Sequence, residues 1–164
     1  MLKLIIVKGK LKLITALQLN DLPLSLSPIN GNILRKKLKQ LLFLEESHCK
    51  EGKLKLSDCE KPDCKLCRLF NRLPARVIFL PINLDKKSRM EFKYEGDRII
   101  ARISSGSLLK FTLYYKVFDE VDEENLLLLR DSFKLLEYDY LGSGGSRGAG
   151  KVRLCYWQER RIFL

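Results

Sequence analysis

From Leu109 to Phe118 the chain alternates without a break. Leu109, Phe111, Leu113, Tyr115 and Val117 stand on one side, and Lys110, Thr112, Tyr114 and Lys116 on the other. Successive side chains of an extended strand point to opposite faces, so this stretch is predicted as a half-buried β-strand. Residues 7–13 repeat the pattern, with Val7, Leu11 and Leu13 set against Lys8, Lys10 and Lys12. A third copy places Val152, Leu154 and Tyr156 against Lys151, Arg153 and Cys155.

Other stretches change to the helical period. From about Asn32, Leu34, Leu38, Leu41 and Leu42 form an apolar stripe, with Arg35, Lys36 and Lys39 off it and Asn30 or Asn32 available as a cap. A second helix is predicted with Asp122 as its cap, acids in its first turn, and Leu126, Leu129, Phe133 and Leu136 as its stripe. Further strands are expected over 76–84, where Pro81 demands an edge or a bulge. A hairpin over about 89–103 is expected to turn at Glu95-Gly96-Asp97. Residues 20–31, rich in Asn, Pro and Ser, read as a loop. With that hairpin and a cysteine-bearing insertion at about 47–74 set aside, the order is β-α-β-β-α-β. The expectation is a single α+β domain over 1–164 with a ferredoxin-like (RRM-like) core. That arrangement serves many functions, so function has to be read from sites.

The charge narrows the field. Lys and Arg number 31 against 20 acids, a formal net charge of +11. One-signed charge costs stability through self-repulsion, and its usual partners are nucleic acid or an anionic membrane. The longest apolar runs, such as Leu126 to Leu129, fall far short of the ~20 residues that span a bilayer. The N-terminus alternates lysines with aliphatics, where a secretion signal would be continuously apolar. A cytoplasmic protein with no membrane partner is expected. Arg35, Lys36, Lys37 and Lys39 precede any acid until Glu45, so the helix lacks nearby carboxylate partners and an external anion is the better reading.

The segment from Gly142 to Lys151 (Gly-Ser-Gly-Gly-Ser-Arg-Gly-Ala-Gly-Lys) points to the same chemistry. Its glycines can take positive φ and approach a ligand without a Cβ clash. Successive amides in such a loop form an anion nest, to which Arg147 and Lys151 add charge. Gly144, Gly145 and Ser146 complete the predicted phosphate grip. The spacing from Gly145 to Lys151 fits the G-x-x-x-x-G-K of nucleotide hydrolases. However, Val152 stands where a magnesium-binding hydroxyl belongs, and here a helix precedes the loop and a strand follows it.

The run Leu135-Leu136-Glu137-Tyr138-Asp139-Tyr140-Leu141-Gly142 through Lys151-Val152 resembles the C-terminal signature of the CRISPR-associated RAMP superfamily, Leu-Gly-Gly-x-Gly-Ser-Arg-Gly-x-Gly-Lys-Val. It is most similar to the backbone (stalk) subunits of type III (Csm/Cmr) effector complexes. Ser143 and Gly144 exchange the order of one glycine. Gly31, Leu34 and Leu38 match the family's first-helix motif, with Arg35 and Lys39 keeping its charge. Cys64-Lys65-Leu66-Cys67-Arg68-Leu69-Phe70 resembles its C-x-x-C-x-x-Phe-Gly segment, and Gly106-Ser107-Leu108-Leu109-Lys110-Phe111 its third core strand. The resemblance implies a subunit that holds guide RNA for pairing with target RNA, beside other RAMP subunits. The family's hairpin wedges between bases, and residues 89–103 are the nearest counterpart. The chain is short for that role, which implies a short stalk or end-cap subunit with weak or no cleavage. The resemblance also places a metal-assisting aspartate in the loop before the first helix, where Asp21 is the only candidate. It would need magnesium, and turn chemistry is the competing reading. Some relatives process the guide precursor with a histidine base, a role only His48 can fill here.

Four of five cysteines fall between Cys49 and Cys67, a cluster that suggests metal in a reducing compartment. Cys59, Cys64 and Cys67 supply three thiolates, and His48 or Cys49 can complete a structural zinc tetrahedron. Buried free cysteines are the plainer alternative.

Overall fold

The computed structural model describes residues 2–19, 28–45, 64–70 and 75–164. In chain order the strands are β1 (Lys3–Leu13), β2 (Leu17–Gln18), β3 (Val77–Phe79), β4 (Asn83–Leu84), β5 (Met90–Glu95), β6 (Arg98–Ile103), β7 (Leu108–Val117) and β8 (Val152–Phe163). The helices are α1 (Asn32–Glu45), α2 (Lys65–Phe70) and α3 (Glu120–Leu135). The architecture is mixed α+β with antiparallel sheets. The main sheet runs β3-β7-β1-β8, with β4 also on β7, and a smaller sheet runs β2-β6-β5.

The alternating segments behave as expected. Ile5, Val7, Leu11 and Leu13 of β1 are buried together with Leu109, Phe111, Leu113, Tyr115 and Val117 of β7. They meet Leu34, Leu38 and Leu42 from α1 and Leu126, Leu129 and Phe133 from α3. At the centre, the Phe111 ring stacks on Phe133 at 4.7 Å. Gly9 makes this possible, because a Cβ there would occupy the volume of the Phe111 ring. Pro81 separates β3 from β4 at the sheet's edge, where a missing amide breaks no ladder. The hairpin forms as β5 and β6, turning at Gly96 with φ +60°.

Two expectations are corrected. The cap of α3 is Asp119, whose Oδ1 accepts from the Asp122 amide at 3.1 Å. Asp122 lies inside the helix with its carboxylate fully buried. It accepts from Arg68 Nε at 2.7 Å, Arg76 Nε at 3.2 Å and the Phe118 amide at 2.9 Å. An acid-rich first turn reads alike whichever acid is the cap, and only the partners separate them. The second correction concerns β8. Lys10 pairs with Tyr156 and Leu11 with Leu154, so Cys155 is the extra residue of a β-bulge. Beyond the bulge the faces exchange. Tyr156 turns outward, and Trp157 packs inward on Phe133 at 5.3 Å between ring centroids. A strict period of two cannot show an inserted residue.

Candidate nucleic-acid interface

The glycine-rich loop joins the end of α3 to β8, and four of its glycines need positive φ: Gly142, Gly144, Gly148 and Gly150. A 3-10 turn over Gly145–Arg147 lies between the two αL positions at Gly144 and Gly148. The neck is tied by Leu141 N to Gly150 O at 2.8 Å, Gly150 N to Ala16 O at 2.9 Å and Ser143 N to Gln18 O at 2.9 Å. Within the turn, Arg147 and Ala149 donate to Gly144 O and Gly148 donates to Gly145 O. The amides of Gly144, Gly145 and Ser146 therefore have no acceptor within the loop. Three adjacent amides with no backbone acceptor among the described residues are the kind of donor set an anion requires.

The loop meets α1 through an aromatic contact. Gly145 lies so close to the Tyr140 ring that a Cβ would overlap it. Lys37 Nζ sits 4.0 Å from the same ring's centroid and 2.7 Å from Asp139 Oδ2. Asn30 Oδ1 accepts from the Asn32 amide at 2.9 Å and fixes the start of the helix. Lys37 is thus the α1 cation at the loop. Of the predicted cations, Arg35 donates to the Phe70 carbonyl at the end of α2, and Lys36 is exposed. Lys39 sits toward Arg35 and Cys67, its pKa lowered by burial and by the Arg35 charge. The signal for Lys37 was the acid and aromatic pair Asp139-Tyr140 just before the loop, which needs tertiary structure to be matched to it.

Arg147 and Lys151 are both exposed. Arg147 Nη1 lies 3.3 Å from Glu95 Oε1 at the hairpin tip, and Lys93 is 3.2 Å from that oxygen. Lys93 first, and then Arg147, hold the Glu95 carboxyl below its ordinary range. An exposed pair of this kind is weak and screened by salt, so a phosphate can compete for Arg147. The Lys151 amide is held by Thr15 Oγ1 at 2.9 Å.

Of the predicted metal ligands, Cys64 and Cys67 are buried at the start of α2. His48, Cys49 and Cys59 lie outside the described residues, as does Asp21. Among the described residues no group of three potential ligands gathers, and no helix is long and apolar enough to cross a membrane.

No protein-family model matches the chain. It is 31% identical over 154 residues to the "CRISPR system Cms endoribonuclease Csm3" of Methanocaldococcus jannaschii, covering 76% of this chain and 61% of that protein. The chain is homologous to Csm3. The protein of the same name from Streptococcus thermophilus is 42% identical over 83 residues, 43% of this chain and 38% of the relative. The chain therefore spans less than two thirds of the length of these Csm3 relatives. A chain of the Csm3-Csm4 subcomplex in the type III-A CRISPR-Cas interference complex superposes with a TM-score of 0.67 at 26% identity, over 97% of this chain and 79% of that one. A chain of the type III-B Cmr-beta complex bound to cognate target RNA gives 0.59 at 14% identity, over 96% and 61%, a likeness of fold alone. The likeness to type III RAMP backbone subunits read from the glycine loop agrees with both comparisons.

Proposed function

We propose that the chain is a guide (CRISPR) RNA-binding backbone subunit of a type III antiviral effector complex, working beside other RAMP subunits on a guide and its target RNA. The observation that carries this reading is the loop. In a homologue of Csm3, the amides of Gly144, Gly145 and Ser146 have no backbone acceptor among the described residues and run directly into the exposed Arg147, with Tyr140 packed on Gly145 and Lys37 on Tyr140. Contacts of this type hold phosphates without reading bases, and guide–target pairing then supplies sequence specificity. The ferredoxin-like reading is supported by the main sheet and its two covering helices, which follow the chain order β1, α1, β3, β7, α3 and β8 with the strands arranged β3-β7-β1-β8. The hairpin is the counterpart of a base wedge, since Phe92 and Tyr94 are exposed on one of its faces.

The protein purified without nuclease is expected to carry RNA that salt releases. For a single-stranded probe, Arg147→Ala with Lys151→Ala should flatten the slope of log affinity against log salt by about 1.4, two phosphate contacts' worth. An unchanged slope sinks the loop as the grip. The same preparation tests the structural zinc, for which Cys64 and Cys67 are the described thiolates and His48, Cys49 and Cys59 the remaining candidates. One zinc per chain, lost in Cys64→Ser with Cys67→Ser, is expected.

Endoribonuclease activity is a second reading, favoured by the name both curated relatives carry. Magnesium-dependent target cleavage that disappears in Asp21→Ala would establish it, and metal-independent precursor cleavage lost in His48→Ala would establish the processing form.

A further inference from the structure

The helices cover one face of the main sheet, and the other face carries a concentration of positive charge. Lys8, Lys10 and Lys12 project from β1 on the side away from the core. The antiparallel register sets Lys10 directly opposite Lys110 on β7, Lys12 opposite Arg153 on β8, and Ile6 opposite Arg160. Like charges directly opposite one another destabilise a sheet, so a face kept only for solubility would mix its signs. Among the described residues, none of these six cations has a carboxylate within ion-pair distance. Asp85 lies near Lys110, but its carboxylate is engaged by the Ser88 hydroxyl and the Leu108 amide.

An aromatic ring lies among these charges. The bulge at Cys155 turns Tyr156 onto this face, where Lys10 Nζ stands 5.0 Å from its ring centroid and Tyr156 donates to Gln158 Oε1 at 2.7 Å. Alternate residues on a strand are ~6.8 Å apart, so Lys8, Lys10 and Lys12 form a row whose step is close to that of phosphates along an extended single strand. The row leads toward the glycine loop, because Ile14, two residues beyond Lys12, donates its amide to the Lys151 carbonyl at 2.8 Å. An acidic protein surface would use the lysines and leave the tyrosine idle. Unpaired bases use both, stacking on the ring while their phosphates meet the cations.

We infer that the open face of the main sheet is a second RNA contact, which binds a single-stranded segment continuing from the glycine loop. The choice of RNA rests on the function proposed above, whereas the surface stands on its own geometry.

The test uses the full chain and a fluorescent oligouridylate in a salt titration. Lys8→Ala, Lys12→Ala and Arg160→Ala together should lower the salt slope by about 2, and Tyr156→Ala should weaken binding about tenfold. All four positions have partly or fully exposed side chains, so thermal melts should match the parent. The Arg147→Ala, Lys151→Ala protein is measured alongside. If it binds normally while the sheet variant is weak, the loop reading fails and the sheet contact stands. A sheet variant with parental affinity and slope overturns the inference. So does one whose self-association in sedimentation falls while its RNA affinity holds, since the face would then be a protein interface.

Discussion

Asp122→Ala is expected to destabilise the protein by about 3 kcal/mol, a fall in melting midpoint of roughly 6–12 °C for a chain of this size. The buried carboxylate joins parts distant in sequence. Arg68 from α2 and Arg76 from the approach to β3 converge on it, while the Phe118 amide binds it from the end of β7. Arg68 also reaches Asp119, the cap of α3. Removing the carboxylate takes from both guanidinium groups the buried charge they share, leaving Arg68 with Asp119 alone, a cost larger than the net value of the pair itself. The estimate sits at the low end of the usual range because both arginines keep some access to water, at 20% and 14% side-chain exposure. Burial alone would raise the Asp122 pKa, but hydrogen bonds from Arg68, Phe118 and Arg76 outweigh it and hold the group below its ordinary 3.8. A lowered folded pKa means that this stabilisation is complete above 3.8 and is lost as the pH falls through the folded value. Urea melts from pH 7 to pH 2 should show the parent losing stability over that acid window more steeply than Asp122→Asn. Parallel curves would remove the carboxylate from the account.

Gly150→Ala should cost about 2–4 kcal/mol and disable the glycine loop with it. Its φ of +73° alone costs ~1–2 kcal/mol for a residue with a side chain. The larger part is steric: an added Cβ would overlap the Leu141 carbonyl oxygen, which is backbone and cannot rotate away. The same neck carries the Leu141 to Gly150 and Gly150 to Ala16 hydrogen bonds. Gly148→Ala separates the two terms, because φ there is +79° but a Cβ would meet open space. Chemical denaturation of both variants, with RNA titration beside it, should show Gly150→Ala the worse in each assay. Equal losses would mean that strain alone governs the loop.

The elements with strong periodicity were legible in the sequence. β1 and β7 buried the expected residues, and the hairpin turned where Gly96 allows a positive φ. What the pattern could not show depends on partners remote in the chain. Asp122 looked like a cap because its arginines come from positions 68 and 76, and Arg35 looked free because its acceptor is a backbone carbonyl at Phe70. The loop's glycines were legible as positions of positive φ, but Lys37 reaches the loop only through Tyr140, which the fold brings alongside.

The bulge at Cys155 also makes length itself a constraint on the last strand. Residues 152–154 and 157–163 are out of step by one, so the interior takes its indole and the exterior its phenol from neighbouring positions. Losing or gaining one residue here would send Trp157 into solvent and Tyr156 into the core, coupling the fold's integrity to its outer chemistry through a count and not a composition.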